Sequence, residues 1–153
     1  MIHIRRYSTV DHDDVWRVHL LVIAEAGVEP THQHYHDILN IDEEYLKQGG
    51  EFLVGTGEHG TVFAIGGLKL LGEGRAEIKR LRVHPDYQKR GYGQMMLSQL
   101  EERARKLGIR QLYLDTLVNQ HGAQKLFATN GYVPQGPAQI DGFDVLIYEK
   151  PLP

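Results

Sequence analysis

Apolar and polar residues alternate over residues 2–7 (IHIRRY), the period of a half-buried strand. Val15, Val18, His19, Val22 and Ile23 then recur at helical spacing behind a Ser8-Thr9 start signal, and Gly27 and Pro30 end that helix. Residues 31–40 are polar and histidine-rich and read as a loop or a broken helix. A short helix over 41–48 stops at Gly49-Gly50. Strand-like runs follow over 52–55, 61–71 and 76–83, punctuated by the turn sequences GEHG and GEG. A helix begins near Gly91, with the apolar stripe Met96, Leu97, Leu100, Ala104 and Leu107 and a stop at Gly108. A strand over 111–116, a helix over 120–129 closed by Asn130-Gly131, and a strand over 143–149 complete the chain. An antiparallel block followed by strand–helix–strand crossovers predicts an α/β (α+β) fold. Its central sheet is mixed and mostly antiparallel, with six to seven strands flanked by about four helices.

The 153 residues suit one domain, 1–153, with no repeat or low-complexity linker. Apolar residues make up 41% and charged residues 24%, an ordinary balance for a water-soluble protein. The absence of cysteine removes disulfides, thiolate metal sites and cysteine nucleophiles, and it fits a reducing, cytoplasmic setting. The start, MIHIRRYST, has no apolar signal core, and no run is long enough to span a membrane. The net charge of −3 and the lack of basic stripes argue against a nucleic-acid partner.

The informative place is the strand-to-helix turn in HPDYQKRGYGQMM. A helix N-terminus presents unpaired N–H groups and a positive dipole end. Gly91 and Gly93 remove the Cβ atoms that would hold a ligand away, and Lys89 and Arg90 add positive charge. On spacing alone this is a phosphate cradle or a tight connection with solvated cations. A P-loop would need Lys and Ser/Thr where Gln94 and Met95 stand, and a dinucleotide fingerprint would need glycine at Met96.

Gln88-Lys89-Arg90-Gly91-Tyr92-Gly93 resembles the Q/R-x-x-G-x-G/A turn of the GCN5-related N-acetyltransferase superfamily. The preceding AEIKRLRVHPDY is similar to that family's central motif, and LYLDTLVNQHGAQKLFATNGYV is similar to its second motif. The resemblance is close over 76–133 and weak before residue 51. It implies acetyl coenzyme A as donor, with its pyrophosphate on the amides of Gln88, Lys89, Arg90, Gly91, Tyr92 and Gly93. The pantetheine arm would lie along the backbone of Leu81, Arg82 and Val83, between two splayed parallel strands, with Asn119 as a further contact. No metal is implied.

Glu77, Lys79, Arg80 and Arg82 place four charges in a central strand, costly unless they pair or face a wet cleft. A bulge near Leu81 would break the alternation there and expose amides able to polarise a thioester carbonyl. Acetylation of an amine needs a base, and Glu77, eleven residues before Gln88, matches the general-base glutamate of the family's histone acetyltransferases. Its other role is as a partner for Lys79 or Arg80. Many relatives carry a tyrosine as acid where Phe127 stands here, leaving Tyr132 and Tyr148 as replacements. With no cysteine, direct attack in a ternary complex is the expected mechanism. His32, His34 and His36 alternate, but a solvated loop or an acceptor-binding lip fits their surroundings better than a metal site. Glu25 is placed beside them on the acceptor wall.

The expected activity is therefore transfer of acetyl from acetyl coenzyme A to a primary amine, on a small molecule or a peptide. The alternative is a non-catalytic acetyl coenzyme A sensor, which Phe127 keeps open. A last strand able to pair or exchange between subunits would make a homodimer.

Overall fold

The computed structural model describes residues 1–29 and 34–153. Seven strands form one sheet: β1 (His3–Arg6), β2 (Glu51–Thr56), β3 (Val62–Gly72), β4 (Arg75–Val83), β5 (Gln111–Leu117), β6 (Val133–Ile140) and β7 (Phe143–Pro151). Their spatial order is β1-β2-β3-β4-β5-β7-β6, and every adjacent pair is antiparallel except β4 and β5. The helices are α1 (His12–Glu25), the short α2 (His36–Leu39), α3 (Tyr92–Lys106) and α4 (His121–Thr129). The short helix expected over 41–48 is a five-residue π-helical turn, Asp42–Leu46.

Alternation along the strands sorts the core into two layers. Leu53 joins Met96, Leu97, Leu100 and Ala104 of α3, while its neighbours Phe52 and Val54 join Val15, Val18 and Val22 of α1. Each helix thus buries its apolar stripe on one face of the sheet, which supplies most of its stability. Leu107 departs from its expected place in the stripe: it is the C-terminal cap of α3 and 48% exposed.

The mixed, mostly antiparallel sheet agrees with the sequence pattern, but β6 was not legible in it. Its sequence, VPQGPAQI, contains two prolines and a glycine, which argue against a strand. An outer strand tolerates them, because one side of it needs no ladder hydrogen bonds. β6 pairs only with β7, and its register shifts between Pro134 and Gly136.

Two departures from regularity in β4 shape the functional face. First, Lys79 pairs with Gly67 and Arg82 with Ile65, so Arg80 and Leu81 oppose the single residue Gly66. This is a bulge, with Arg80 at φ 58°. Ala76, Ile78, Leu81 and Val83 consequently all pack with the α3 layer. Glu77, Lys79, Arg80 and Arg82 are freed for the opposite face. Second, β4 pairs with β5 only from Arg75–Gln111 to Glu77–Tyr113. Beyond that point the two parallel strands separate, and β5 continues its ladder with β7 alone.

Candidate active site

A cleft of about 900 Å³ opens where β4 and β5 part. Its rim is formed by the end of α1, the glycine turn before α3, the turn leading into α4, and the β6–β7 hairpin.

The glycine turn is fixed from beneath by aromatic packing. Tyr87, before the turn, stacks on Phe63 of β3 with centroids 4.3 Å apart, and Tyr92, after it, meets the same ring edge-on at 4.9 Å. Gln88 donates from Nε2 to the Val83 carbonyl at 2.9 Å and to Glu25 Oε1 at 3.1 Å, tying the turn to β4 and α1. Gly91 caps α3 at φ 86°, a backbone conformation in which a side chain is strained. A Cβ built there would meet nothing within 4 Å, so the space over the helix N-terminus is open. Gly93 differs: a Cβ there would touch Leu126 Cδ2 at an ordinary 3.5 Å. Open N–H groups, a dipole end and a missing Cβ fit a phosphate group. Gln88, Lys89, Gly91, Tyr92 and Gly93 line the cleft, as do Leu81, Arg82, Val83 and Asn119. Arg90 does not; its guanidinium lies 5.8 Å from the Tyr87 ring centre.

Deeper in the cleft, the charged residues of β4 divide into two groups. Arg80 is satisfied: its Nε and Nη2 donate to Asp37 Oδ2 and Oδ1 at 2.9 and 2.8 Å, and its guanidinium lies 5.3 Å from the Tyr35 ring centre. Tyr45 donates its hydroxyl to the same Asp37 at 2.5 Å. Burial opposes the Asp37 charge, yet Arg80 and Tyr45 outweigh it and hold that carboxyl well below the usual range. The same carboxylate raises Arg80 against its own burial. The side chains of Glu77 and Lys79 have no hydrogen bond or ion pair among the described residues, and neither has that of Asp115 of β5. Burial pushes the Glu77 carboxyl up, with Lys79 pulling it back and Asp115 adding to the rise. Asp115 is likewise raised by burial, against the pull of Lys79 and Arg80. Sequence reading missed Asp115. The signal was an acidic residue in the apolar alternation of LYLDTL, beside the strand that carries Glu77.

Among the described residues the Arg82 side chain makes one hydrogen bond, from Nε to Nδ1 of His19 at 3.1 Å. A guanidinium only donates, so His19 accepts there and is neutral. Burial and the nearby Arg82 and Arg80 charges push the His19 pKa down to about 2. Burial and the Arg80 charge lower that of Arg82 to about 10.

Of the predicted acids, neither tyrosine lines the cleft. Tyr132 is buried and donates its hydroxyl to Glu101 Oε2 at 2.7 Å, where Lys150 also donates at 2.8 Å. Burial and Glu101 raise its pKa far above the ordinary tyrosine value. Tyr148 is buried with its ring 5.9 Å from that of Phe127, and Phe127 itself stands at the cleft wall. The histidines of residues 32–36 do not share one environment. His34 lines the cleft with Nδ1 4.0 Å from Asp141 Oδ2 and its ring 5.6 Å from Phe143. His36 is on α2 beside Glu44. His32 lies outside the described residues. Among the described residues no cluster of metal-ligating side chains is present, and no helix is long and apolar enough to cross a membrane.

The fold has counterparts in known proteins. The chain is 34% identical over 96 residues to IAA acetyltransferase of Azospirillum brasilense, an overlap of 61% of this chain and 63% of that protein. It therefore spans somewhat less than two thirds of that curated relative. A GNAT-family acetyltransferase of Staphylococcus aureus Mu50 shares the fold with a TM-score of 0.93, at 21% identity over 100% of both chains. The PaiA N-acetyltransferase of Thermoplasma acidophilum, solved in complex with coenzyme A, does so with a TM-score of 0.79, at 20% identity over 99% of both. The model of the acetyltransferase (GNAT) family matches residues 14–132, a span that runs from α1 through the strand bulge and glycine turn to the end of α4. With the splayed strands and the open helix cap inside that span, the chain belongs to the GNAT acetyltransferase family.

Proposed function

We propose that the protein transfers the acetyl group of acetyl coenzyme A to a primary amine, both bound together in the cleft between β4 and β5. One observation carries the reading: the same cleft joins an open helix N-terminus at Gly91 to an unpaired, half-buried glutamate, Glu77, at the point where β4 and β5 part. The N–H groups of the first turn of α3 hold the pyrophosphate, with Lys89 adding positive charge. The unpaired edge of β4 at Leu81, Arg82 and Val83, together with Asn119, holds the pantetheine arm.

Acetyl coenzyme A supplies a thioester: a bond forms from amine nitrogen to acyl carbon, the carbon–sulfur bond breaks, and the thiolate leaves. Glu77 accepts the proton that the amine gives up, and its raised pKa brings it nearer the neutral range where a carboxylate base works best. Tyr132 and Tyr148 take no part, because their hydroxyls do not reach the cleft. Water protonates the thiolate. Beyond Glu77 the edge of β4 has no pairing with β5, and the backbone N–H groups along that edge, beside the bulge, stabilise charge on the carbonyl oxygen.

The test is calorimetry with coenzyme A followed by thiol release from acetyl coenzyme A across a panel of amines. Micromolar binding with turnover on at least one amine is expected. Binding with no turnover on any amine would leave the cofactor sensor, the alternative that Phe127 keeps open; no binding would remove both.

A further inference from the structure

The cleft contains four charged side chains that have no ion-pair partner among the described residues. Glu77, Lys79, Arg82 and Asp115 all line it, and none makes an ion pair among the described residues. Residues 30–33, Pro-Thr-His-Gln, include no carboxylate that could complete one. The contrast with Arg80 is direct. Two residues away on the same strand, that guanidinium has a two-pronged carboxylate partner from α2.

Arg82 is the telling member. A buried or half-buried charge is costly unless it is paired. Among the described residues its side chain has one hydrogen-bond partner, a neutral imidazole whose Nδ1 accepts from Arg82 Nε. That bond leaves the guanidinium's terminal nitrogens, the pair that takes a carboxylate end-on, without an acceptor among the described residues. His19 is fully buried between Trp16 and Tyr35, so it fixes Arg82 in one orientation without neutralising it. A residue held this way by α1 and still lacking an anion is built to receive one from a ligand. Across the same cleft Glu77 and Asp115 offer negative charge to a cation. The two signs together suit a zwitterion.

Resting on the acetyltransferase reading above, we propose that the acceptor is an amine that also bears a carboxylate, and that the Arg82 guanidinium binds this carboxylate while Glu77 and Asp115 face the amine. His19 is a positioning residue for Arg82.

The experiment compares matched sets: an α-amino acid, its α-amide, and the amine lacking the carboxyl group, over several side chains and with the intact protein. Calorimetry with coenzyme A accompanies it. The wild type is expected to prefer at least one acid over its amide by about tenfold or more in kcat/KM, because an unmade bond to a buried charge is heavily penalised. Arg82→Met should erase that preference by raising KM for the acid, with KM for acetyl coenzyme A unchanged, and Arg82→Lys should restore part of it. If Arg82→Met does not fold, the wild-type comparison decides alone. Equal turnover of acid and amide overturns the inference. So does coenzyme A binding without turnover of any carboxylate-bearing amine, and so does an Arg82→Met defect confined to acetyl coenzyme A, which would assign the side chain to the donor. Each of these leaves the donor site standing. Absence of coenzyme A binding instead removes the acetyltransferase reading itself.

Discussion

Lowering the pH from about 7.5 to about 5 protonates His19 in the unfolded chain and not in the folded one. The folded pKa, about 2, lies below the ordinary histidine value of 6.5, so the unfolded state binds the extra proton over the whole interval between them. Stability therefore rises with pH across that window and is lost as pH falls below 6.5. Integrating the linkage relation for one group with those two values gives a loss of ~2 kcal/mol between about pH 7.5 and pH 5, with a limiting slope of about 1.4 kcal/mol per pH unit. That is a sizeable share of the 5–15 kcal/mol typical of folded domains, roughly speaking. The assay is urea unfolding at both pH values for the wild type and for His19→Asn, whose side-chain oxygen can still accept from Arg82 and does not titrate. The variant is expected to lose ~2 kcal/mol less than the wild type on acidification. The remaining histidines are common to both proteins and cancel in the difference. Equal losses would refute the claim that His19 is held neutral against Arg82.

Glu77→Gln should lower kcat/KM about 10²- to 10⁴-fold and abolish the acidic limb of the pH–rate profile, with coenzyme A affinity unchanged. In the wild type that limb should sit above the ordinary carboxylate range, since the base works only when ionised and its pKa is raised; an unaltered profile in the variant would exclude Glu77 as the base. Gly91→Ala places a side chain at φ 86°, and the strain of ~1 kcal/mol should lower Tm by about 2–4 °C and weaken coenzyme A binding. Gly93→Ala meets only an ordinary contact and should retain both, so an equal defect in the two variants would contradict the roles given to them. Tyr132→Phe removes a hydrogen bond to the buried Glu101 and should cost about 1.5–3 kcal/mol in urea unfolding while leaving kcat unchanged. A large fall in kcat with stability intact would return Tyr132 to the reaction.

The elements that the sequence made legible are those whose burial is one-sided. The α3 stripe and the alternation of β5 report directly which face meets the core. The glycine turn was legible because two glycines one residue apart are costly at the head of a helix unless the backbone must approach something, and the β4 bulge because AEIKRLRV carries two consecutive polar residues where alternation calls for one. What stayed hidden depends on contacts distant along the chain. β6 is stabilised by its partner β7 rather than by its own composition. The Asp37–Arg80 pair joins residues 43 positions apart, and Arg82 meets His19 across 63. Tyr132 and Tyr148 looked available for proton transfer because sequence does not show that the Tyr132 hydroxyl meets a buried glutamate 31 positions away or that neither ring lines the cleft.

The bulge at Arg80 makes chain length, more than residue identity, the sensitive variable in β4. Removing one residue at 79 or 80 would restore strict alternation and still leave Leu81 and Val83 under α3 and Arg82 facing the cleft, because the bulge is what absorbs the extra residue. A single-codon deletion there would therefore straighten the strand and spare its inner face, so the loss would fall on recognition and not on folding.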